Sequence, residues 1–263
     1  MIKTMSVIDQ YLQKCHQLTD AVGAQTEALS AAASWFAASI LEDRMVHLFG
    51  SGHSRIMVEE MWPRYGSFPG FNPIVELSLT FHNLVVGANG QRQAMFLENV
   101  EGLAERILRN FSLSQLDTAM VISSSGCNVV PIEIAQQFKK RGIKVVALVS
   151  LAHLEASSSK KADGSKLTDY ADLILDTGAP VGDATVHIPA LDTPVSPAST
   201  VGGTIIINCL KAETARLLTE AGRPPKVLSS AAVVGSERAV SLFESAYDEH
   251  AHRLAKLYQD VGE

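Results

Sequence analysis

The chain is poor in cysteine: Cys15, Cys127 and Cys209 stand far apart and form no Cys-x-x-Cys pair. An odd, scattered set suits neither a disulfide framework nor a thiolate zinc site, and it suggests a reducing compartment. No apolar run approaches the ~20 residues that a membrane span needs. The amphipathic opening MIKTMSVIDQYLQKC carries no apolar signal core, so no membrane association is expected and the cytoplasm is the expected location. No lysine/arginine stripe with interleaved aromatics occurs and the formal net charge is −6, so nucleic acid is not an expected partner. No His-x-His or His-x-x-x-His pair with carboxylate support appears, and neither metal nor cofactor is expected. Internal repeats and true linkers are missing as well. What is present is 263 residues, 46% hydrophobic and 19% charged, enough to fill a core. One domain is expected, with an N-terminal helical segment (1–42), an α/β core (43–222) and a C-terminal helical extension (223–263).

Apolar side chains at Ile8, Tyr11, Leu12, Cys15, Leu18 and Val22, then Trp35, Phe36 and Ile40, recur near the 3.6 period. They predict helix over residues 6–41, with Gly23 a point of division. Residues 45–49 form an apolar run ending at glycine and read as the first buried strand. A helix of about two turns follows, stopped by Pro63. Residues 73–77 read as a second strand and 91–111 as one helix. Residues 118–122 are a strand, 129–141 a helix closed by Gly142, and 144–149 a strand. This is a βαβ unit with parallel strands and a right-handed crossover. A polar loop (151–168), a strand at 172–176, a short one near 186–188, a long helix to about 221 and a last helix over 237–258 complete the pattern. The alternation predicts an α/β, doubly wound sheet.

Ligands of such sheets bind beyond the carboxyl ends of the strands. Two loops there have anion-binding chemistry. Ser123-Ser124-Ser125-Gly126-Cys127-Asn128 offers three hydroxyls, a glycine and a helix amino end, whose free amides favour phosphate. The plainer alternative is a serine-rich turn with Asn128 as N-cap. Gly50-Ser51-Gly52-His53-Ser54 resembles half a dinucleotide fingerprint, with Arg55 where the third glycine belongs and Glu76 in place to mimic the ribose-binding acid.

Taken together, a GxGxS loop after the first strand and an SxSG loop inside AMVISSSGCNVVPIEIAQQFKKRGIKVVALVS resemble the SIS (sugar isomerase) domain family over about residues 45–221. The resemblance implies a mostly parallel, five-stranded, flavodoxin-like sheet and a phosphorylated sugar as ligand. It also implies contacts from Ser51, Gly52 and Ser54 in the first loop and from Ser123, Ser124, Ser125 and Asn128 in the second. The family usually has Ser or Thr where this chain has Asn128. SIS proteins commonly assemble, and the apolar faces of the first and last helices exceed what one sheet layer needs. A homodimer or tetramer is therefore expected.

Sugar-phosphate isomerisation moves a proton between carbons flanking a carbonyl, so it needs a placed acid/base group. Phosphoheptose isomerases and N-acetylmuramic acid 6-phosphate etherases carry a glutamate ten residues after the first-loop serine; here that position is Arg64. Glu59 and Glu60 lie nearby, in helical register with Arg55 and Arg64, which also suits plain surface ion pairs. The segment Asn99-Val100-Glu101-Gly102 resembles the etherases' Val-Glu-Gly-Ala-Glu-Asp stretch and makes Glu101 the first candidate. His53, inside the first loop, is the histidine placed to touch ligand. His47 reads as structural, His250 and His252 as surface, and His82, His153 and His187 as unranked. The basic loop of Lys160, Lys161 and Lys166 reads as a solvated surface or an anion guide. Three functions stay open: an aldose–ketose isomerase, an amino-sugar-phosphate etherase or lyase, and a non-catalytic phosphosugar sensor. No helix-turn-helix segment precedes the domain, which weighs against a transcription factor.

Overall fold

The computed structural model describes residues 5–80 and 90–259. The N-terminal pattern divides where expected, into α1 (Val7–Gly23) and α2 (Thr26–Leu41). Ser6 caps α1, its hydroxyl accepting from the Asp9 amide at 3.1 Å. Five short apolar runs become the strands β1 (Val46–Gly50), β2 (Phe71–Ile74), β3 (Thr118–Ile122), β4 (Lys144–Val149) and β5 (Leu173–Asp176). They pair in the order β2-β1-β3-β4-β5, and every pairing is parallel. β2 starts two residues before the predicted run.

The two-residue period of the strands divides the core in two. Val46, Leu48, Met120, Ile122, Val146 and Leu148 face α2, α3 (Arg55–Met61) and a long helix, Ser199–Glu220. Phe49, Ala119, Val121, Val145 and Ala147 face the helices Leu103–Leu108 and Val129–Lys140. In chain order these follow α4 (Leu77–Thr80) and α5 (Gly90–Leu97) as α6 (Leu103–Leu108), α7 (Val129–Lys140), α8 (Leu151–Ala156) and α9 (Ser199–Glu220). Strands buried on both faces explain why the runs are continuously apolar rather than alternating.

The βαβ unit matches its sequence pattern closely. Pro131 sits in the first turn of α7, where its missing N–H removes no helical bond. The helix ends on Gly142 (φ +73°), with Gly142 N–H donating to Lys139 O and Ile143 N–H to Phe138 O. This Schellman pairing needs a left-handed residue there.

Four expectations are corrected. The predicted helix over residues 91–111 is two, α5 and α6, parted by a turn in which Gly102 has φ +81°. The loop after β4 contains α8 and a 3-10 turn, Leu167–Tyr170. A two-stranded antiparallel ribbon, β6 (Ala184–Val186) with β7 (Val195–Pro197), stands where one short strand was read. His250 is half-buried against Trp62, with its ring 5.1 Å away, rather than on the open surface.

α10 (Ala231–Val234) and α11 (Ser236–Leu257) close the α2 side of the fold. Arg253 of α11, 5% exposed, donates to the carbonyls of Ile40 and Arg44 and to Glu249. At the amino edge of the sheet, Asp117 accepts from Arg44 through two nitrogens and from the Ser114 amide, and lies 3.2 Å from His47 Nε2. His47 also meets Asn72 at 3.0 Å and stacks on Phe138, so it is a core group. No helix among the described residues is long and apolar enough to cross a membrane.

Candidate active site

The strand order reverses between β1 and β3, and the carboxyl edge there is where open α/β sheets bind ligands. Gly50 and Ile122 are register partners, so residues 51–54 and 123–128 leave the sheet side by side. Around them lies a cleft of about 500 Å³. Its wall continues along the carboxyl edge through His153 after β4, Thr177 after β5, and Asp183, Ser199 and Thr200 at the start of α9.

The second loop turns back on itself at the cleft. Ser123 Oγ accepts from Gly126 N–H at 3.2 Å and Ser125 Oγ from Cys127 N–H at 3.3 Å, which curls the loop over itself. Among the described residues, the amides of Ser124, Ser125 and Asn128 have no protein acceptor. Ser124 Oγ is buried without a partner. Convergent unpaired donors at a helix amino end favour a phosphate. Asn128 occupies the N-cap position of α7, yet its side chain makes no capping bond.

Its amide group turns instead to a residue that no sequence motif singled out. Glu98 lies just past α5, in the segment leading to the Gly102 turn. Its Oε1 accepts from Asn128 Nδ2 at 2.8 Å and its Oε2 from Ser51 Oγ at 2.9 Å, so one carboxylate joins both loops. The same segment caps α7: Glu98 O accepts from Val130 N–H at 2.9 Å and Asn99 Oδ1 from Val129 N–H at 3.4 Å. Burial raises the Glu98 pKa, against the opposing pull of the Ser51 and Asn128 hydrogen bonds and the Lys160 charge. Reading Gly102 as a helix stop would have put Glu98 at a helix end facing the sheet edge.

Of the residues expected at the site, Ser51, Gly52, His53, Ser54, Ser123, Ser124, Ser125 and Asn128 all line this one cleft. The other carboxylate candidates do not. Glu101 is exposed in the turn beside Gly102, whose amide donates to Glu133. The turn replaces the helix that was to carry Glu101 to the ligand edge. Glu59 pairs with Arg55, and Glu60 with Arg64 and Asn208. Both glutamates border a separate groove with Tyr65 and Phe243, on the outer side of α3. Helical four-residue spacing between opposite charges already described these pairs. His153 lines the cleft with a buried, unpartnered Nδ1. Lys160 borders it too, while Lys161 pairs with Asp163 and Lys166 donates to Leu154 O. His187 lies in a different hollow, near Lys14 and Gly178, and His82 falls outside the described residues. Among the described residues, no group of three or more His, Cys, Asp or Glu side chains is placed to hold a metal ion.

A five-stranded parallel sheet with a donor-lined cleft at its switch point defines an α/β ligand-binding protein. The chain belongs to the SIS domain family, whose model matches residues 10–150. It is similar to a UPF0309 protein of Halalkalibacterium halodurans, 32% identical over 220 residues, covering 84% of this chain and 88% of that one. It is also similar to a UPF0309 protein of Geobacillus kaustophilus, 30% identical over 255 residues, covering 97% and 95%. Among solved structures, a phosphoheptose isomerase from Neisseria gonorrhoeae aligns with a TM-score of 0.48 at 14% identity, covering 81% of this chain and 97% of that chain.

Proposed function

We propose that this protein binds a phosphorylated sugar in the cleft and isomerises it between aldose and ketose forms, with Glu98 as acid/base. One observation carries the reading: a half-buried carboxylate is held by Ser51 and Asn128, one from each loop, beside the unpaired donors of residues 123–128. The phosphate sits on the Ser124, Ser125 and Asn128 amides and the serine hydroxyls. The sugar carbons then extend toward Glu98 and His153. Glu98 takes a proton from C2 of the open chain, and the electron pair forms an enediolate. Returning that proton to C1, while the hydroxyl proton passes between the two oxygens, gives the isomer. A raised pKa suits the task, because the acid and base forms then stand closer in energy near neutral pH.

The Glu101-Gly102 match favoured the etherase reading, but Glu101, the first candidate base for either enzyme, lies outside the cleft. The sensor reading needs the same binding loops and differs only in chemistry. The expected assembly is a homodimer or tetramer, and the expected compartment is the cytoplasm.

The deciding experiment incubates the protein with pentose, hexose and heptose phosphates in deuterium oxide. Wild-type protein should place deuterium at C1 or C2 of its substrate. Glu98→Gln should lose about 10²–10⁴ of that rate while binding within a few-fold. Ser123→Ala/Ser125→Ala should lose binding with the fold intact. Binding without exchange across the panel would replace the isomerase by the sensor, and absence of any binding would end the phosphosugar reading.

A further inference from the structure

The start of α9 forms part of the cleft wall. A 22-residue helix presents free amides at its amino end, where an acidic group of a ligand is ordinarily welcome. Here the entry to that end, its first two amides, is already taken by the protein. Asp183 Oδ1 accepts from the amides of Ala198 at 3.0 Å and Ser199 at 2.6 Å, and Oδ2 accepts from Ser199 Oγ at 2.8 Å. The Asp183 carbonyl accepts from the Ala198 amide as well. The backbone at Asp183 is left-handed, φ +69°, which a short polar residue tolerates better than most and which these bonds hold in place. Asp183 faces the same cleft as Glu98, one from the α9 side of the sheet and one from the α7 side. Among the described residues, the lysine or arginine on that wall is Lys160, which acts on Glu98 and Cys127 next to the phosphate loop.

We propose that Asp183 is a charge filter that admits sugar monophosphates and rejects sugars bearing a second acidic group. The proposal rests on the phosphosugar reading and deepens it to a substrate class. One phosphate is satisfied at residues 123–128. A second phosphate or a sugar carboxylate, arriving at the far end of the sugar, meets the Asp183 charge where it would otherwise meet helix amides. A unit charge in a partly solvated wall weighs on the order of tenfold in affinity. Neutral hydroxyls and amines have no such conflict, since the carboxylate keeps lone pairs to accept from them. The same filter disfavours sugar ethers that carry a carboxylate.

The test compares dissociation constants for matched pairs, such as fructose 6-phosphate against fructose 1,6-bisphosphate and glucose 6-phosphate against 6-phosphogluconate. Wild-type protein should bind the monoacidic member of each pair at least about tenfold more tightly. Asp183→Asn keeps a capping oxygen and a residue tolerant of positive φ but removes the charge. It should narrow that gap about tenfold, by strengthening the diacidic member. A merely structural role for Asp183 would weaken both members alike and leave the ratio where it was. Wild-type preference for the diacidic member overturns the filter, as does an unchanged ratio in Asp183→Asn; if that variant fails to fold, Asp183→Gly, which also accepts a positive φ and lacks the charge, reads the same ratio. The pairs are drawn from whichever of the pentose, hexose and heptose phosphates binds, and failure of the whole panel to bind removes the phosphosugar reading and the filter together. Binding of the monophosphates without discrimination removes the filter alone.

Discussion

Glu98→Ala takes away the acceptor shared by Ser51 Oγ and Asn128 Nδ2, which bond it at 2.9 and 2.8 Å. Two polar groups are then left without a protein partner. Each costs about 1 kcal/mol, the low end of the range for stranded donors, because water in the cleft reaches them. The sum, about 2 kcal/mol, corresponds to a fall in melting temperature of about 4–8 °C for a chain of this size. Glu98→Gln behaves differently. Its side-chain oxygen accepts from Asn128, and its NH2 donates to the Ser51 hydroxyl, which rotates to accept. The network survives and the charge is gone. Burial raises the Glu98 pKa in the folded protein, so folding favours the protonated carboxyl. That contribution is whole below the unfolded pKa, about 4, and is lost as pH rises from there through the folded value. Glutamine loses nothing over that window, so Glu98→Gln should gain on the wild type as pH rises toward neutrality. Thermal denaturation by circular dichroism at several pH values measures both effects. If Glu98→Gln falls as far as Glu98→Ala, or if its offset from wild type is flat with pH, the account of the bridging carboxylate is wrong.

Asp117 gives the opposite pH dependence: burial alone would raise its pKa, but the His47 imidazole 3.2 Å away and the hydrogen bonds from Arg44 outweigh it and hold the value at about 2. Its contribution, on the order of 2 kcal/mol, is present above about pH 4 and should disappear as pH falls toward 2, while Asp117→Asn should lack that acid-side transition in chemical denaturation. Gly202→Ala should destabilise by several kcal/mol despite alanine's better helix propensity, because the new Cβ would lie 2.0 Å from Thr177 O; a melting temperature equal to wild type would refute that close approach. Ile8 (70% exposed) and Leu12 (51%) on α1 are expected to face another copy in the proposed assembly. Light scattering should report a dimer or larger at micromolar concentration, and Ile8→Asp/Leu12→Asp should dissociate it, whereas a monomeric wild type would end this expectation.

The sheet was legible because each of its inner strands is an apolar run buried on both faces, a signal that survives without any partner strand in view. The βαβ unit was clearest, since the Gly142 stop and the Ser123 loop punctuate it at both ends. That the two serine loops share one cleft was legible from their places at the carboxyl ends of neighbouring strands. Glu98 was not. A glutamate in a mixed helical stretch gives no periodic or motif signal, and its role depends on a chain reversal at Gly102 that the helical pattern reads through. Asp183 was hidden in another way, because its partners lie 15 and 16 residues downstream and no local spacing announces the contact. Glu59 and Glu60 show the converse, with spacing that described their ion pairs correctly while saying nothing of which side of α3 faces the cleft.

Arg253 ties the two ends of the chain into one unit. A helix leaves its last carbonyls without donors, and here a side chain more than 200 residues away, on α11, supplies one to Ile40. The family match ends at residue 150, yet the packed core does not. A truncation there would strip β5 from the sheet edge, lay open the α2 face that α9 covers, and take from the Leu41 carbonyl the donor that Arg223 supplies. Fusions or domain exchanges drawn at the boundary of the matched segment would therefore cut across the contacts of α2 with α9 and of β4 with β5.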